Sequence, residues 1–124
     1  MIKLYKTQHE YDTCEFDNGA TAIDIGVGVD LTAGKLAAST TPKYVTLQPC
    51  GANEKHCLVH EIRKDELYST TLSASGASLN VGSAVTIASG GKQATATTTD
   101  GIFKIEEFKD ATKAKDSVVV GRFI

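Results

Sequence analysis

From Ile23 to Leu31 the chain alternates strictly: Ile23, Ile25, Val27, Val29 and Leu31 are set against Asp24, Gly26, Gly28 and Asp30. A period of two places every apolar side chain on one face of an extended strand, and helical spacing does not fit it. From Leu79 to Ile87 the same pattern returns. Leu79, Val81, Val85 and Ile87 oppose Asn80, Gly82, Ala84 and Thr86, with Ser83 standing in an apolar place.

The agreement extends beyond one strand. Ile23-Asp24-Ile25-Gly26 matches Leu79-Asn80-Val81-Gly82, Val29-Asp30-Leu31 matches Val85-Thr86-Ile87, and Gly34-Lys35 matches Gly91-Lys92 after one inserted residue. Further on, Tyr44-Val45-Thr46-Leu47 aligns with Ile102-Phe103-Lys104-Ile105, and Leu58 to Ile62 with Val119 to Phe123. Ordered recurrence of this kind marks an internal duplication. Each copy reads as strand, Gly-Lys turn, strand, turn, strand, loop, strand. Gly34 and Gly91 fall where a tight hairpin needs positive φ, while Gly26 and Gly82 fall inside strand patterns where a kink or bulge would turn the chain.

These patterns predict an all-β protein, a small barrel or β-tulip-like fold made of two tandem strand repeats with at most one short helix. Residues 1–16 form an N-terminal arm or edge strand, with Met1 to Lys6 as its strand and Thr7 to Thr13 polar. Residues 17–72 are the first repeat and 73–124 the second, in one compact unit or two small lobes. The stretch from Asp65 to Gly76 reads as a connector, and Glu106 to Lys115 as a short helix or ordered loop.

Composition sharpens the picture. Ala, Gly, Ser and Thr supply 48 of 124 residues and there is no Trp, so little apolar area is buried per residue and the protein gains from assembling with neighbours. The net charge is −2 with the basic residues scattered, which leaves no electrostatic footprint for nucleic acid. No stretch approaches membrane-spanning length, and Met1 to Phe16 lacks the apolar core of a signal peptide. Three cysteines without an export signal imply reduced thiols and synthesis in the cytoplasm.

Candidate chemistry is thin. Cys50, His56, Cys57 and His60 lie within eleven residues, a spacing that raises a metal site. If His56 to Ile62 is a strand, however, His56 and His60 face one way and Cys57 the other, and no Cys-x-x-Cys clip is present, so no metal or other cofactor is expected. A Cys50–Cys57 disulfide is sterically conceivable but improbable in a reducing compartment. No Gly-x-Ser-x-Gly elbow exists, and His9, His56 and His60 carry no local signature of a catalytic base. Gly26-Val27-Gly28 imitates the start of a dinucleotide fingerprint, but Leu31 occupies the third glycine place. Glu106, Glu107 and Asp110 read as a solvated face. The expectation is a protein that is not an enzyme.

A strand ending in Gly, an alternating apolar strand, a Gly-Lys hairpin, a Thr-rich stretch and a further strand, as in Ile23-Asp24-Ile25-Gly26 through Lys35-Leu36-Ala37, resembles the head decoration proteins of tailed bacteriophages. The pattern occurs twice and covers most of Ala22 to Ile124. The resemblance implies a capsid cement protein of the virion, often trimeric, that binds the major capsid protein on the outer shell and needs neither nucleic acid nor membrane. Met1, Ile2, Lys3, Leu4, Tyr5 and Lys6 are then the candidate capsid-contact residues, and Gly26, Gly34, Gly82 and Gly91 the structural turns. Removal of residues 1–16 is expected to abolish capsid binding and leave the domain folded. The rival readings are a receptor- or carbohydrate-binding β-barrel module of a phage fibre or cell surface, and a small metal-dependent enzyme built around His56, Cys57 and His60.

Overall fold

The computed structural model describes residues 1–6 and 13–124; His9 and most of the polar run beginning at Thr7 lie outside the described residues. The described residues form ten strands and no helix. One sheet contains β2 (Thr13–Phe16), β3 (Gly28–Thr32), β4 (Lys35–Ala38), β5 (Tyr44–Thr46) and β6 (Cys57–Glu61), in the order β2-β6-β5-β3-β4. The other contains β1 (Lys3–Lys6), β7 (Leu67–Thr71), β8 (Ala84–Val85), β9 (Phe103–Phe108) and β10 (Val118–Phe123), in the order β1-β7-β10-β9-β8. All strand pairs are antiparallel.

The sheets are not closed into the expected barrel. The described strands instead form two separate five-stranded sheets.

One pattern of backbone bonds recurs in the two sheets, with β7, β10, β9 and β8 placed as β2, β6, β5 and β3 are. The N–H of Gly26 donates to the Thr46 carbonyl at 2.9 Å and Thr46 N–H returns a bond to Val27 at 3.0 Å; Gly82 donates to Ile105 at 2.7 Å and Ile105 returns to Ser83 at 2.9 Å. Lys43 N–H donates to Val29 and Ile102 N–H to Val85; Ile62 donates to Lys43 and Ile124 to Ile102. The correspondence reaches the opposite edge. Asn18 bridges Leu36 in parallel as Leu72 bridges Ala94, and Val59 faces Cys14 as Gly121 faces Tyr68. Strand β2 is therefore the counterpart of β7, and each unit begins at that strand.

Several expectations change accordingly. The Asp65 to Gly76 stretch is not a connector, because it contains β7, which pairs with β1 on one side and β10 on the other. Its alternation was masked by Thr70, a buried polar residue whose hydroxyl is satisfied by the Lys92 carbonyl at 3.0 Å. Ile23 to Leu31 is not one strand. Ile23 makes an isolated bridge to Cys50, the chain turns at Ile25-Gly26, and β3 begins only at Gly28. The turn is tied down locally: Ile25 N–H donates to Asp24 Oδ1 at 3.0 Å, and the Thr46 hydroxyl accepts from Val27 N–H at 2.9 Å while donating to the Asp24 carbonyl at 2.7 Å. Leu79 to Ile87 behaves alike, with a turn at Val81-Gly82 before β8. Tyr44 corresponds to Phe103, one residue away from the alignment by apolarity, because the structural partner of Ile102 is the charged Lys43. Glu106 to Lys115 holds no helix: β9 runs to Phe108, and Lys113 adopts φ 52°, incompatible with a right-handed helix.

Each unit has its own apolar core. Ile23, Val27, Val29, Leu36, Cys50, Cys57 and Val59 fill the first. Leu72, Leu79, Val85, Phe103, Ile105, Val119 and Phe123 anchor the second, which also takes in Ile2 and Val45 from outside its own unit. The units touch where Gly28 N–H donates to the Gly91 carbonyl at 2.7 Å, and a Cβ on Gly91 would collide with the Gly28 carbonyl oxygen.

Candidate functional site

The N-terminal strand stitches the two units together. Its backbone pairs Lys3 with Ser69 and Leu4 with Tyr68 on the edge of the second unit, with an irregularity between Leu4 and Lys6. At the same time Ile2 N–H donates to the Gly26 carbonyl of the first unit at 2.7 Å, and the Met1 ammonium donates to the Lys92 carbonyl at 3.1 Å. Burial holds the pKa of that ammonium below its usual range, and the Lys92 and Lys3 cations add to the effect. Ile2 is buried, and Tyr5 accepts a hydrogen bond from Lys109 Nζ at 3.0 Å.

Beside this strand Met1 is 43% exposed, Tyr5 41% and Ile25 37%; elsewhere Val118, Ile124 and Val81 are exposed by 40%, 53% and 66%. Met1, Ile2, Leu4 and Ile25 border a groove of about 410 Å³ whose lining includes His60 and Tyr68.

A buried polar cluster joins that lining. His60 Nε2 lies 2.8 Å from Glu66 Oε1, the Tyr68 hydroxyl donates to the same oxygen at 3.1 Å, and Arg63 N–H donates to the Tyr68 hydroxyl at 3.2 Å. With Glu66 as a carboxylate acceptor, the ring proton sits on Nε2. Burial pushes the Tyr68 phenol well above its ordinary pKa, and the Glu66 carboxylate adds to the effect, so the hydroxyl keeps its proton. His60 Nδ1 and Glu66 Oε2 have no hydrogen-bond partner in the described structure. Chemically the cluster fastens the chain after β6 to β7. Sequence reading named His60 but missed Glu66 and Tyr68, since Glu66 stands in a charged run where nothing marks it as buried.

The residues raised as a metal site do not converge. Cys50 and Cys57 are free thiols in the first core; burial, then the neighbouring Cys57 and Glu54, push the Cys50 thiol up to about 12. His60 points to the opposite face of β6. His56 precedes the strand with φ 62°, is exposed, and places Nδ1 3.6 Å from Glu15. It therefore does not share a strand face with His60 as expected. Among the described residues no three His, Cys, Asp or Glu side chains stand together as a ligand set.

The acidic trio is likewise dispersed. Glu106 takes both oxygens to Arg122, at 2.8 and 3.0 Å, which holds its carboxyl below the usual range. Glu107 pairs with Lys109 at 3.1 Å, and Asp110 accepts from the backbone and hydroxyl of Thr112. The four glycines singled out for turns have φ of 73° (Gly26), 78° (Gly34), 96° (Gly82) and 71° (Gly91). Ala33 and Gly34, both at positive φ, form the two-residue connection of the β3–β4 hairpin.

Comparison with protein-family models, with curated proteins and with solved structures finds no match.

Proposed function

We propose that this chain is a capsid decoration protein, binding the outer surface of an assembled phage head and stabilising contacts between major capsid subunits. The observation that carries the reading is the N-terminal strand, which bonds to both units and leaves Met1 and Tyr5 exposed. Residues of both units meet there, and the backbone beneath is fixed by pairing to β7 and by the Ile2–Gly26 bond. In this reading Met1, Lys3 and Tyr5 touch the shell, while Ile2 and Leu4 hold the strand in place; Lys6 continues the strand. Duplicated units add many small contacts, which a lattice multiplies into firm attachment. Self-association, with a trimer favoured, and location on the virion surface belong to the same proposal.

Cosedimentation with purified heads lacking the protein tests it. The intact chain is expected to pellet with heads and remain in solution with dissociated capsid subunits, and Tyr5→Glu to lower the bound fraction. Absence of the intact chain from the head pellet refutes the assignment.

A second reading is favoured by a groove of about 600 Å³ in which Thr21, Asp24, Thr32, Lys35 and Lys92 offer polar groups suited to a sugar or receptor loop. Glycan binding by the free protein, lost on Asp24→Ala, would support it over shell binding.

A further inference from the structure

Strand β7 is covered on its outer edge by β1, whereas none of the described residues pairs with the outer edge of its counterpart β2. The two edges differ in burial: Tyr68, opposite Leu4 of β1, is buried, while its counterpart Cys14 and the nearby Phe16 are half-buried.

The register of β1 on β7 states what would fit on β2. Lys3 faces Ser69 and Leu4 faces Tyr68; the corresponding residues of β2 are Glu15 and Cys14. An incoming strand of the same register sets a cation opposite Glu15 and an apolar side chain opposite Cys14, beside Phe16. Glu15 is 57% exposed, and its one ion-pair partner among the described residues is the His56 ring at 3.6 Å. Opposite charges directly across a strand pair attract, so β2 is better matched to a basic strand than β7 itself.

We infer that the outer edge of β2 takes up, by strand addition, an extended segment of another protein that carries Lys or Arg opposite Glu15 and a large apolar residue opposite Cys14. The inference rests on the decoration reading, in which the segment belongs to a capsid subunit. Backbone hydrogen bonds supply the affinity and the two side-chain positions the specificity.

Cys14 allows a direct test on the intact free protein. A synthetic peptide of the β1 sequence, residues 1–6 with Leu4→Cys, is supplied as a disulfide with a chromogenic thiol. Captured in register, it transfers to Cys14 at least about fivefold faster than a scrambled peptide of the same composition, and Glu15→Lys removes the difference. Equal rates for the two peptides overturn the inference. So does a Cys14 that reacts only after denaturation, since the edge is then already covered. Chains that pellet with heads but show no peptide preference defeat this inference and leave decoration standing. Peptide capture without head binding defeats decoration and leaves the strand-addition edge.

Discussion

His60 and Arg122 hold the same register position in the two units, His60 opposite Val45 and Arg122 opposite Lys104. The His60 side chain is 1% exposed and that of Arg122 is 34% exposed. One strand face of the first unit is thus covered, with Val45 in the core of the second, while the equivalent face of the second meets water and carries Lys104, Glu106 and Arg122. The two units share their backbone pairing, and the stacking of the units accounts for the divergent side chains.

Glu66 accepts from two buried neighbours, so its removal leaves both His60 and Tyr68 without their partner. Glu66→Ala is expected to destabilise the fold by about 1–3 kcal/mol, and Glu66→Gln by less because it keeps an acceptor oxygen. Urea unfolding of the two variants beside the parent measures the difference; equal stability of all three would show the cluster to be energetically idle.

Ile2 is 2% exposed within the second core, so the N-terminal strand is part of the fold and not a detachable arm. Ile2→Ala is expected to cost about 2–4 kcal/mol. Removal of residues 1–16 also takes β2, one strand from each sheet, and is expected to give an unfolded chain by circular dichroism, contrary to the expectation from sequence.

Gly34 and Gly91 share positive φ but differ in surroundings. No atom lies within 4 Å of a Cβ built on Gly34, so Gly34→Ala carries only the left-handed penalty, about 1 kcal/mol. On Gly91 the same methyl meets the Gly28 backbone, and a further loss of about 1–3 kcal/mol is expected. Thermal melts that rank the two variants equally would contradict the close approach of the units.

The Cys50 thiol has a pKa of about 12 against an ordinary 9. Because ionisation is favoured in the unfolded chain, its contribution to stability is complete below pH about 9 and declines as pH rises toward about 12. Unfolding midpoints measured between pH 8 and 11 should fall accordingly, and less steeply in Cys50→Ala. At pH 8 a thiol reagent should modify half-buried Cys14 quickly and Cys50 and Cys57 only on unfolding.

Alternation and spaced glycines made the all-β class legible, because a period of two follows from the backbone of an extended strand. Boundaries were less legible. Gly26 and Gly82 each complete a turn, Ile25-Gly26 and Val81-Gly82, and donate to the Thr46 and Ile105 carbonyls of a distant strand. Strand β7 was hidden because Thr70 is polar and buried, and β2 because Cys14 and Glu15 alternate weakly. The site was least visible: Ile2 and Glu66 are defined by what packs over them, and no local pattern carries that.

The central claim, that this chain cements an assembled shell, is tested most directly by heating purified heads that lack the protein and following DNA release with and without added chain. Decoration predicts a higher release temperature that saturates at a fixed ratio of chain to capsid subunit. An unchanged release temperature at saturating protein would contradict it.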